Sequence, residues 1–147
     1  MKESNLNIKK AVPFFFVTDM TASLHFYMDG LGFEMKNKWT PRGTVEWCWL
    51  QRDNVAIMLQ EYRQFPGTNN ESRKNKGEGV SICFICENAL DLYREFVDKG
   101  LRPAEPFVGN NMWDVEIVDP DGYRLHFESM TEVPEETRYS DWTSNRN

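Results

Sequence analysis

The chain has 147 residues, 40% hydrophobic and 14% aromatic, a content that supports one domain or two small modules sharing a core and excludes a disordered chain. A formal net charge of −6 and a pI near 5.0 leave no basic face for a phosphate backbone, so nucleic acid is excluded as a partner. No run is long enough to span a bilayer, "MKESNLNIKK" lacks the apolar core of a signal peptide, and three cysteines (Cys48, Cys83, Cys86) suit a reducing cytoplasm.

"AVPFFFV" reads as a short aromatic strand in which Val12, Phe14 and Phe16 share one face, opposite Phe15 and Val17. Asp19 caps the following helix, Leu24, Tyr27, Met28 and Leu31 form its apolar face, and Gly32 ends it. "TVEWCWL" and "NVAIMLQEY" are strands joined at "QRDN". Residues 63–78 are polar and rich in breakers and read as a linker. "GVSICFI" opens a second strand run, "ALDLYREFVDKG" is helical, and "WDVEIV" and "YRLHFES" are strands. On a strand Cys83 and Cys86 point to opposite faces, so "CFIC" reads as structural. The charged tail, residues 131–147, either wraps the surface or frays.

Shifted by 68 residues, the sequence overlays itself: "VPFFFVTD" falls on "VSICFICE", Gly32 on Gly100 and "RDNVAIMLQ" on "PDGYRLHFE". The pattern predicts one domain over 1–130, built of module one (8–62), the linker and module two (79–129), each a strand, a helix and two or three strands. In "VDPDG", Pro120 and Gly122 favour a bulged hairpin in which Asp119 opposes Tyr123, Glu116 opposes His126 and Asp114 opposes Glu128. Val115, Ile117, Leu125 and Phe127 then share the apolar face. Carried back through the repeat, this register turns Glu46, Cys48, Met58 and Gln60 outward and puts Trp47, Trp49, Ile57 and Leu59 beneath the helix.

With "VTDMTASLHFYMDGLGFE" after the first strand and "DPDGYRLHF" at the end, the chain resembles the vicinal oxygen chelate superfamily from about Lys10 to Ser129. That superfamily includes glyoxalase I, extradiol dioxygenases, fosfomycin-resistance enzymes and bleomycin-resistance proteins, and "AVP" and "HF" look most like the last branch. The resemblance implies an α+β fold of two paired βαβββ modules whose curved mixed sheets surround a cleft, and a homodimer sharing its clefts. It also implies that metal-dependent relatives carry ligands at Val12, Met58, Ser81 (or Val80) and His126. Only His126 is a conventional ligand, and one histidine does not hold zinc, so neither metal nor cofactor is expected. An irregular site of His126 with Glu116 and Glu128 is the alternative. His126 is either bonded to Glu116 or in contact with a ligand. The expected cleft wall is Val12, Phe14, Phe16, Glu46, Cys48, Met58, Gln60, Ser81, Asp114, Glu116, His126 and Glu128, with no catalytic residue. The expected function is metal-independent sequestration of a cationic or aromatic small molecule, as in bleomycin-resistance proteins. The competing reading is a metal-dependent lyase or dioxygenase.

Overall fold

The computed structural model describes residues 6–61 and 76–146. Residues 63–75 of the expected linker lie outside the described residues. Module one contains β1 (Phe14–Val17), α1 (Met20–Leu24) continued by a wider π-type segment (His25–Gly30), β2 (Glu34–Trp39), β3 (Trp47–Arg52) and β4 (Val55–Glu61). Module two contains β5 (Ser81–Ile85), α2 (Ala89–Asp98), β6 (Phe107–Gly109), β7 (Met112–Val118) and β8 (Arg124–Met130), and the tail carries α3 (Tyr139–Ser144). The chain is thus α+β, with four strands per module.

The strand order is β1-β4-β3-β2 in one sheet and β5-β8-β7-β6 in the other. In each, the opening strand pairs parallel to the last and the remaining pairs are antiparallel, so both sheets are mixed. The helices begin where side-chain caps allow: Asp19 accepts from the Ala22 amide and Asn88 from the Asp91 amide, both at 3.1 Å. One apolar core joins the modules, with Phe15, Tyr27, Leu50, Ile57 and Leu59 from the first and Phe84, Phe96, Val115, Leu125 and Phe127 from the second. Gly30 eases the close approach of the two, since a Cβ there would lie 2.9 Å from Leu101 Cδ2 and that side chain would have to shift.

The final hairpin of each module reaches onto the helical segment of the other. From the β7–β8 turn, buried Asp119 accepts the Tyr27 hydroxyl at 2.8 Å, and its other oxygen accepts the amides of Asp121 (2.9 Å) and Tyr123 (2.8 Å). From the β3–β4 turn, Arg52 forms a two-pronged pair with Glu95 of α2, at 2.6 and 3.0 Å, and also donates to the Leu31 carbonyl at 2.7 Å. In the 68-residue overlay Tyr27 and Glu95 occupy the same position. The same contact is therefore made twice, once as a buried hydroxyl–carboxylate bond and once as an ion pair.

The expected tail wraps and does not fray. Val108 and Tyr139 amides donate to Thr137 and Pro106 carbonyls, and Trp142 of α3 meets Trp113 edge-on with centroids 5.4 Å apart.

Burial raises the Asp119 carboxyl above its ordinary pKa, although the Tyr27 hydroxyl and two amides favour the charged form. Tyr27→Phe leaves one oxygen of that carboxylate without a donor. The expected cost at neutral pH is about 1–3 kcal/mol. The cost shrinks as the pH falls through the folded-state pKa of Asp119, because a protonated carboxyl needs the donor less. Urea unfolding of both proteins across the acid range measures it, and a pH-independent difference contradicts the argument.

Candidate functional site

The faces of the two sheets turned away from the helices carry the candidate site. On the first sheet the register lines up Phe14, Met58 and Trp49 in one row, and Phe16, Gln60, Trp47 and Trp39 in the next. Phe14 and Phe16 are 44% and 46% exposed, and their rings stack at 5.1 Å. The Lys10 ammonium lies 5.7 Å from the Trp49 ring centroid. Val12, half-buried, precedes this strand. The outcome is an aromatic platform.

The second sheet gives the matching rows different chemistry. Cys83, His126 and Glu116 form one row, Ile85, Glu128 and Asp114 the next, and Ser81 stands beside Arg124. Ser81, and not Val80, is therefore the strand residue with outward parity. His126 Nδ1 lies 2.9 and 3.1 Å from the two Asp114 carboxylate oxygens. Arg124 Nη1 donates to Glu116 at 2.6 Å. Partial burial and the neighbouring Glu128 carboxylate push the Cys83 thiol up to about 11, so it stays protonated at neutral pH and is a poor nucleophile.

Nine of the expected wall residues keep their outward or strand-leading places: Val12, Phe14, Phe16, Met58, Gln60, Ser81, Asp114, Glu116 and Glu128. So does His126, but its partner is Asp114 and not its cross-strand neighbour Glu116, because Arg124 holds Glu116. Glu46 and Cys48 are corrected. They face the core, 5% and 0% exposed, and Glu46 Oε1 accepts Arg42 Nη2 at 2.6 Å. Trp47 and Trp49, expected beneath the helix, face outward. Turn length is the cause. Two residues, Asp53 and Asn54, separate the paired Arg52 and Val55, and Asp53 takes a left-handed φ of 50°. Three residues separate Asp119 from Tyr123, closed by the Asp119 amide bonding to the Tyr123 carbonyl at 2.9 Å, with Gly122 at φ 94°. A one-residue difference inverts the face of every residue on the strand before the turn. "RDNV" against "DPDGY" is the signal that identifies the platform tryptophans.

The residues at the positions where the resemblance puts metal ligands do not fit a metal. Val12 has no donor, Met58 offers a thioether, Ser81 a hydroxyl, and only His126 a strong ligand. A different trio is closer to fitting: among the described residues, Asp114, His126 and Glu128 each place a donor atom within 4.8 Å of the others. Its histidine nitrogen Nδ1 is already engaged by Asp114. Protein dialysed against Zn, Ni, Mn or Fe is expected to retain well under one equivalent, as elemental analysis reads it. Stoichiometric retention lost in both His126→Ala and Asp114→Ala establishes an irregular site instead.

A family model described as the Glyoxalase/Bleomycin resistance protein/Dioxygenase superfamily matches residues 9–127. The chain belongs to that superfamily. Its fold is similar to the crystal structure of UcmS2 (TM-score 0.68, 19% identity, covering 84% of this chain and 98% of that one). It is also similar to a glyoxalase/bleomycin resistance protein/dioxygenase from Nocardioides (0.62, 16%, 89% and 90%). A third similar structure is the bleomycin-binding protein of Streptomyces verticillus complexed with copper(II)-bleomycin (0.62, 17%, 83% and 96%). No curated protein matches the chain in sequence.

Proposed function

We propose that the chain binds a small planar molecule between the aromatic platform of the first sheet and the carboxylate-bearing face of the second, and holds it without chemistry. The observation that carries this reading is the outward cross-strand row Phe14–Met58–Trp49 beside Phe16–Gln60–Trp47, exposed at Phe14 and Phe16 and half-buried elsewhere, with the thioether of Met58 where the resemblance puts a metal ligand. Such a platform offers flat contact area for a ring or a delocalised cation. Asp114, Glu116 and Glu128 outnumber the charge of Arg124 on the second face, which favours a cationic ligand. The similar bleomycin-binding protein supports sequestration as the role.

The reading predicts that a cationic aromatic compound binds more tightly than its neutral or anionic counterpart, and that salt weakens the preference. Trp49→Ala is expected to cost about fivefold in affinity, the worth of one stacking contact of about 1 kcal/mol. Calorimetric titration with a matched series of three compounds, cross-checked by tryptophan fluorescence, tests both points. Equal affinity for all three charge types refutes the role of the acidic face.

We also propose that the chain works as a homodimer in the cytoplasm. Trp39, Ile85, Val118 and Met130 are exposed apolar side chains on or beside the outer faces, and a second copy covers them by isologous contact while Phe14 and Phe16 line the shared cleft. Three free cysteines support a reducing compartment. Among the described residues no helix is long and apolar enough to cross a membrane. Light scattering at micromolar concentration is expected to give twice the chain mass of 17.3 kDa, and the single-chain mass throughout that range refutes the dimer.

A further inference from the structure

The modules meet along a seam whose two halves are related by the internal repeat, so they can be compared residue for residue. On one half Tyr123 fills the seam. Its ring stacks on Phe15 with centroids 4.3 Å apart and planes 16° from parallel, and its hydroxyl donates to the Phe16 carbonyl at 2.8 Å. On the other half the ladders fix the equivalents. Phe15 pairs with Leu59 as Phe84 pairs with Phe127, and Val55 precedes Leu59 on its strand by the same interval at which Tyr123 precedes Phe127. Val55 therefore stands in the place of Tyr123, Phe84 in that of Phe15, and Ile85 in that of Phe16.

Valine lacks the phenol ring, and here the structure has a cavity of about 340 Å³, lined by Phe33, Val55, Phe84, Ile85, Cys86 and Phe127 among others. The polar rim carries Arg52, Asp53, Asn54 and Glu87, and Arg52 is already engaged by Glu95 and the Leu31 carbonyl, so the lining open to a ligand's ring is the apolar one. The Cys86 thiol donates to the Glu128 carbonyl, and burial pushes its pKa up. In a parallel ladder alternate residues bond to a given neighbour, and the Cys86 amide bonds to Glu128 of β8. The Ile85 carbonyl is accordingly directed to the seam, as the Phe16 carbonyl is.

We propose that this cavity is a binding site for a small phenol, held as the chain holds its own Tyr123: the ring lies on Phe84 and the hydroxyl donates to the Ile85 carbonyl. The volume is sufficient, since an apolar cavity of about 150 Å³ accepts benzene. The site lies on the helix side of the sheets, shares only Ile85 with the outer faces, and does not depend on the ligand proposed for them.

The test titrates phenol and toluene into ¹⁵N-labelled chain. Phenol at millimolar concentration is expected to shift the amides of Val55, Ile85 and Cys86 and to give nuclear Overhauser contacts to the Val55 methyls. Toluene, without the hydroxyl, is expected to bind about fivefold more weakly, the worth of one hydrogen bond. Val55→Tyr supplies the missing ring from the chain itself. It is expected to weaken phenol binding by at least about tenfold and to raise the Tm. Equal binding of toluene overturns the phenol assignment. Shifts confined to Phe14, Trp47 and Trp49 overturn the site, as does unchanged binding to a folded Val55→Tyr or the absence of shifts up to about 10 mM phenol. Should the variant not fold, the contacts to Val55 in the unaltered chain decide.

Discussion

Everything on the outer faces depends on the pair of contacts by which each module's last hairpin grips the other module's helical segment. Asp119 takes the Tyr27 hydroxyl and Arg52 takes the Glu95 carboxylate. The two contacts sit at equivalent positions of the repeat yet differ in environment. The first is buried, where a lost donor is costly; the second is partly exposed, where water and salt weaken it. Together they tie the two modules across the shared core.

Given that frame, strand parity decides what each face presents. The first sheet stacks Phe14 on Phe16 beside Trp49, while the equivalent positions of the second hold Cys83, Ile85 and Glu116. One architecture, used twice, has thus separated into an apolar half and a charged half. The flat, positively charged ligand proposed above draws on both properties, and at the positions where the resemblance puts metal ligands only His126 is a strong donor.

Much of this was legible in the sequence. The repeat was visible because breakers and apolar positions recur, and the second hairpin could be registered because "VDPDG" allows only one pairing that separates Asp114, Glu116 and His126 from Val115, Ile117, Leu125 and Phe127. The first hairpin could not be registered by analogy. Its turn is one residue shorter, and a single residue reverses a face, so Trp47 and Trp49 exchanged places with Glu46 and Cys48. The partner of His126 was also illegible. Cross-strand opposition nominates Glu116, but Arg124 on the same face takes that carboxylate at 2.6 Å and the imidazole turns diagonally to Asp114. Choices among neighbouring side chains on one face follow from competition between charges, which strand pattern does not encode. The cavity at the seam was not legible either: the overlay sets Val55 on Tyr123, but the pattern does not tell that the Tyr123 ring fills the seam against Phe15.

The outermost strands show what kind of self-association the fold permits. β2 carries Lys36 and Lys38 and is interrupted by a register shift between Met35 and Asn37, both of which hinder addition of a further strand. β6, at the far side of the other sheet, is already bonded by the tail through Thr137, Glu136 and the bridge from Phe107 to Arg138. Neither outer rim is a free template for backbone pairing. Both rims therefore discourage the edge-to-edge addition that grows without limit into fibres.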